Sequence, residues 1–176
     1  MNLLFRRIVA SFIDYGIIAT YAILLFGSVL TIFSFQNQEL HFGPVIGQVI
    51  GFVTLTLPVF LYSYLLERSN WKGTVGKRVL GLSVLSEQGT SFNNILIRNI
   101  LKYLPWELAH TGVHWVVYYS SNDIEAPIWV WAVLILPQVI SIAYFFSILL
   151  SRGQSSIYDS ISKTMFCFDK VPSINE

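Results

Sequence analysis

Residues 127–150 read PIWVWAVLILPQVISIAYFFSILL, without one acidic or basic side chain. As an α-helix this stretch is about 36 Å long at about 1.5 Å per residue, enough to cross a hydrocarbon core of about 30 Å. A helix apolar on every face belongs in the core of a large protein or in a bilayer, and 176 residues do not build so large a core. Residues 44–66 have the same character, and in 8–35 the only acid or base is Asp14. A fourth segment, 104–119, is shorter and carries Glu107, His110 and His114, so hydropathy alone leaves it undecided.

The composition agrees with a membrane chain. Apolar residues make up 54% and charged residues 12%, too little charge to cover a soluble domain. Disorder and a disulfide scaffold are excluded, the latter because Cys167 is the only cysteine. A net charge of +1 gives no electrostatic case for nucleic acid. Arg6 and Arg7 precede an apolar run, as in a signal peptide, but the run is too long for one and contains an acid.

Charge placement decides the fourth segment. All Lys and Arg residues lie before residue 8, between 66 and 104, or after 150. The connections 36–43 and 120–126 carry only Glu39, Asp123 and Glu125. Cytoplasmic loops collect Lys and Arg, so four spans with both termini cytoplasmic place every basic residue on one side. The expected fold is an all-α protein of the inner membrane, with residues 1–170 as the transmembrane domain and 171–176 as a short tail. Trp106, Trp115, Trp129 and Trp131 fall near predicted span ends, where amphipathic rings favour the interface. Cys167 then faces a reducing compartment as a plain thiol.

The cytoplasmic loop has its own pattern. Gly73-Thr74-Val75-Gly76-Lys77 reads as a tight backbone leading into a short helix or strand, and Glu87-Gln88-Gly89 as a turn. Residues 81–85 alternate too briefly to be assigned. Gly76-Lys77 is not a phosphate loop, since Arg78 follows the lysine and Trp71 stands where the first glycine is required. Ser91 can cap a helix starting at Phe92, in which Asn94, Arg98 and Lys102 form one stripe at i, i+4 spacing. That is the pattern of an interfacial helix turning Arg98 and Lys102 towards lipid phosphates, or of a strip that simply meets water.

These pieces resemble the RDD family of small bacterial membrane proteins, named for one arginine and two aspartates. The matching parts are Arg6-Arg7 with Ile13-Asp14, the run Gly73-Thr74-Val75-Gly76-Lys77-Arg78-Val79-Leu80-Gly81-Leu82-Ser83-Val84, Arg98, and residues 152–164 with Tyr158-Asp159-Ser160. In the tail Tyr158 replaces the usual histidine and Ser162-Lys163 the usual Ala-Gly. The resemblance implies an RDD fold. It links the chain to a family in which some members are associated with sodium or proton exchange and related domains with membrane-protein assembly.

Two groups of in-span ionisable residues are candidates for chemistry. Arg7, Ser11 and Asp14 share one face of the first helix, and the resemblance brings Asp159 towards them as a polar cluster. A carboxylate inside a span costs roughly 3 kcal/mol or more, so Asp14 is expected to be paired in a structural bridge or to exchange a proton or sodium ion. Glu107, His110 and His114 share a second face. They suit a proton relay better than a metal, because no fourth ligand is apparent and His41 lies in an outer connection.

No hydrolase elbow, dinucleotide fingerprint or cofactor motif is present, so neither an enzyme nor a bound cofactor is expected. Two classes stay open: proton-coupled cation transport through Asp14, Glu107, His110 and His114, or a non-transporting module that binds lipid or a partner. The in-span charges favour the first. Four helices enclose little space, so transport would call for a homo-oligomer.

Overall fold

The computed structural model describes residues 2–36, 43–86 and 92–168. Glu39, His41, the turn at 87–89, the Ser91 cap and the tail 171–176 lie outside them. Among the described residues, three helices are long and apolar enough to cross a membrane: Leu3–Phe35, Pro44–Arg68 and Ile128–Leu150. The first is α1 (Leu3–Gln36). The second comprises α2 (Pro44–Gly51), a π-helical turn (Phe52–Thr56) and α3 (Leu57–Arg68). The third is α6 (Ile128–Leu150).

Between them, residues 92–121 correct the expectation of an interfacial helix followed by a separate span. They form one helix of 30 residues, α5 (Phe92–Ser121), which continues through Pro105. A proline inside a helix leaves the carbonyl four residues earlier without its N–H partner. That carbonyl is Leu101 O, and the Tyr144 hydroxyl donates to it at 3.3 Å. Tyr21 does the same for Pro58: its hydroxyl donates at 2.5 Å to Thr54 O, the carbonyl that Pro58 would have bonded in an α-helix.

The all-α expectation also misses a small sheet. Short α4 (Val75–Val79) leads into β1 (Leu82–Ser86), and α7 (Ile157–Ile161) into β2 (Thr164–Phe168). The strands pair antiparallel, with Leu82 opposite Phe168 and Ser86 opposite Thr164. A lone two-stranded ribbon is marginal in water; here Leu82 and Val84 are fully buried.

The chain divides into two compact units. The first contains Met1–Asp14, Leu61–Lys102 and Ala143–Glu176; the second contains Tyr15–Phe60 and Tyr103–Ile142. Within the first, α6 ends in a left-handed turn. Arg152 has φ 53° and Gly153 φ 87°, and Gly153 N–H reaches back to Ile148 O. A side chain at Gly153 would press on Leu4 Cα, so the glycine serves close approach as well as the turn. Burial is inverted relative to a soluble protein: Arg98, Glu67, Asn99 and Asp159 are sealed while Phe12, Ile23, Ile128 and Leu150 are exposed. Apolar side chains facing outward suit lipid rather than water as the solvent.

Candidate functional site

In the first unit, ionisable side chains alternate in sign along a connected path. Arg7 Nη2 donates to Asp159 Oδ2 at 2.9 Å, and Arg98 Nε donates to Asp159 Oδ1 at 2.9 Å. Arg98 turns its Nη1 to both Glu67 oxygens, at 2.8 and 2.7 Å. Lys77 Nζ donates to Glu67 Oε1 at 2.6 Å, and Asn99 Nδ2 to Glu67 Oε2 at 2.9 Å. The path therefore runs Arg7–Asp159–Arg98–Glu67–Lys77. Burying such charges is tolerable only because every carboxylate oxygen has at least one charged donor.

Local sequence explains how Asp159 is placed. Ser156 and Asp159 form a reciprocal capping box at the start of α7: Ser156 Oγ accepts from Asp159 N, and Asp159 Oδ2 accepts from Ser156 N. Burial would raise the Asp159 carboxyl, but Arg98, Arg7 and the Ser156 bonds overcome it and hold it below the ordinary 3.8. Burial likewise opposes the charge on Arg98, yet Glu67 and Asp159 outweigh it and raise its affinity for its proton. For Lys77 burial wins over Glu67 and brings the ammonium down to about 8. The Phe166 ring of β2 lies beneath three cations, its centroid 3.8 Å from Arg7 Cζ, 5.4 Å from Arg98 Cζ and 5.9 Å from Lys77 Nζ.

Asp14 does not join this path. Its Oδ1 accepts from Gly76 N and the Tyr62 hydroxyl, each at 2.9 Å, and its Oδ2 from Thr74 Oγ1 at 2.5 Å. Arg7 turns instead to Asp159 and to Gly153 O, and Ser11 bonds back to Arg7 O. The expected cluster of Arg7, Asp14 and Asp159 is thus split: two of its members pair, and the third fastens the loop. Gly76 is required there because a Cβ would collide with Ala10 O and sit 3.0 Å from the Asp14 carboxylate.

The stripe on α5 is corrected as well. Arg98 is 1% exposed and engaged on both sides by carboxylates, so it faces protein rather than phosphates. Asn94 bonds Ser86 Oγ at 2.7 Å, and Lys102 approaches Ser63 Oγ at 3.4 Å. Helical spacing identified one face of α5 correctly but not what covers it. Its acidic partners stand 31 and 61 residues away in sequence.

The second unit holds the other group. Glu107 Oε1 accepts from Gln48 Nε2, and Oε2 from Thr56 Oγ1 at 2.7 Å. Thr56 is placed by the π-helical turn. One and two turns along α5, the His110 and His114 rings lie with centroids 4.6 Å apart. A Cβ at Gly51 would strike the His110 ring, and one at Gly47 would come within 2.8 Å of His114 Nδ1. Among the described residues, no three His, Cys, Asp or Glu side chains gather in a way that could hold a metal ion.

Several residues of both sites escaped sequence reading. Glu67 closes an apolar run and looked like a boundary residue; Ser156-x-x-Asp159 was a legible capping box, and Gly47-x-x-x-Gly51 a small-residue spacing typical of close helix contacts. Gln48, Thr56 and Phe166 carried no signal. Among the in-span candidates, Asp14 belongs to the first unit and Glu107, His110 and His114 to the second.

Comparison with known proteins adds one match. The model of the RDD family matches residues 2–163. No curated protein and no solved structure matches the chain. With the Arg7–Asp159 pair and the Asp14-bound loop inside the matched range, this multi-pass membrane chain belongs to the RDD family.

Proposed function

We propose that the protein couples cation movement to protons across the inner membrane of a bacterium. The observation that carries this reading is the condition of Glu107. Two neutral donors, Gln48 and Thr56, meet its carboxylate, and among the described residues no cation pairs with it. Two imidazoles lie one and two turns away. Glu67 and Asp159, by contrast, are saturated by Arg and Lys, and Asp14 is occupied by Tyr62, Thr74 and Gly76. An intramembrane carboxylate left without a counter-charge is costly unless it works. We therefore assign coupling to Glu107, His110 and His114, and loop fastening to Asp14.

In this reading residues 104–119 of α5 make the fourth span, both termini are cytoplasmic, and a second copy helps enclose the path. Lys and Arg are absent from 36–43 and 120–126, which supports that orientation. The test is flux in sealed vesicles. Wild-type protein should dissipate an imposed pH gradient when sodium or potassium is added; Glu107→Gln should abolish this, and His110→Ala should shift its pH dependence.

The second reading, a non-transporting module for lipid binding, partner binding or assembly, is supported by the charge path of the first unit, which leaves its carboxylates fully paired. Flux no greater than in empty vesicles, with folding verified, would leave that reading in place.

A further inference from the structure

Among the described residues, three buried polar atoms of the second unit have no hydrogen-bond partner: His110 Nδ1, His114 Nε2 and Gln48 Oε1. Sealed polar atoms normally find a partner, and these three, two on α5 and one on α2, leave capacity for one beside Glu107. The rings sit 4.6 Å apart with planes tilted 57°. Each fills the space left by a glycine on α2, His114 at Gly47 and His110 at Gly51. Gln48, between those glycines, holds Glu107 through Nε2.

The neighbours limit what the ligand can be. From α5 the ionisable groups acting on His114 are His110 and Glu107. From α2 and the π turn come Gly47, Gln48, Gly51 and Thr56, and no residue of 44–56 is ionisable. On α6, Leu134 packs against Gly112 of α5, between the two histidines. Trp106 stands beside His110 with centroids 6.5 Å apart. Among the described residues these side chains do not gather as metal ligands do, whereas two adjacent imidazoles beside one acid suit a proton.

We propose that His110 and His114 form a one-proton store, cradled by Gly47 and Gly51 and balanced by the Glu107 carboxylate. It rests on the transport reading above and names where the transported proton waits. In loading, one imidazole lone pair takes a proton from hydronium and water is released; unloading is the reverse. One imidazolium with one carboxylate is neutral. A second proton would place two like charges 4.6 Å apart among apolar helices, and the store refuses it.

Histidine 15N and 13C NMR of the full chain in nanodiscs, over pH 5 to 9, tests this without any gradient; His41→Asn simplifies the spectrum. The expected result is one shared protonation step on both rings, with the second step more than about two pH units lower. Glu107→Gln should move the shared step down by about one unit or more. Gly51→Ala pushes the His110 ring aside and should split the step into two separate ones. His114→Gln should leave the uptake at one proton, now on His110, whereas independent sites would fall from two to one. Two independent protonations in the wild type, an unmoved step in Glu107→Gln, or a fall from two to one in His114→Gln would overturn the store. A store that titrates as expected in a protein with no flux would refute transport and leave the store standing.

Discussion

Arg98 donates from Nη1 to both carboxylate oxygens of Glu67, and both side chains are sealed from solvent. The same guanidinium holds Asp159 through Nε. One planar cation thus joins two carboxylates from different segments, a task for which a lysine has the charge but not the fork.

Glu67→Gln leaves Arg98 and Lys77 without their shared counter-charge. The expected loss is about 3–5 kcal/mol of stability, the range for breaking a buried pair. Arg98→Lys should lose a comparable amount despite keeping the charge. Unfolding in detergent reads both, and a double-mutant cycle of the two should show non-additivity of roughly 0.5–3 kcal/mol.

The pH dependence has two arms of definite sign. Asp159 is held below its ordinary 3.8, so its contribution is present above that value and lost as pH falls through its folded pKa. Thermal unfolding below pH 4 should therefore steepen in wild type relative to Asp159→Asn. Lys77 lies at about 8 against an ordinary 10.5, so between these values the unfolded chain binds the extra proton. In that window wild type should gain stability with rising pH relative to Lys77→Met.

Asp14→Asn exchanges one carboxylate oxygen for an amide that cannot accept from the loop. We expect a cost of about 1–3 kcal/mol for the bonds lost. Trypsin should then cut after Lys77 or Arg78 many times faster than in wild type. An unchanged cleavage rate would show that the loop is fastened by other contacts.

Tyr144→Phe strands the Leu101 carbonyl in α5 and should cost about 1–3 kcal/mol, the price of an unmet buried acceptor. Pro105→Leu restores an N–H four residues after Leu101. In that background Tyr144→Phe should cost much less, as thermal unfolding of the single and double variants would register.

Apolar run length and helical spacing made much of this architecture legible. The apolar runs at 8–35 and 44–66 lie within long helices, and 127–150 does so from Ile128 on, because a bilayer demands uninterrupted apolar residues. Spacing also placed Glu107, His110 and His114 on one face. It could not reveal which side chain covers Arg98, since that depends on pairing across distant segments. Nor could it foresee β1 and β2, five residues each, whose pairing partner is more than 75 residues away in sequence. Of the Arg7, Asp14 and Asp159 grouping, Arg7 and Asp159 pair while Asp14 accepts from Gly76 N; two acids near one arginine are indistinguishable in sequence.

The separation of 152 residues between Arg7 and Asp159 has a biosynthetic consequence. At roughly 5–20 residues per second, the ribosome delivers Asp159 about 8 to 30 s after Arg7. Until then Arg7 and Arg98 both lack Asp159 as a partner. The last strand, bringing Phe166 over the same cations, closes the assembly. A chain truncated before α7 would carry its apolar helices yet lack the acid that joins Arg7 to Arg98.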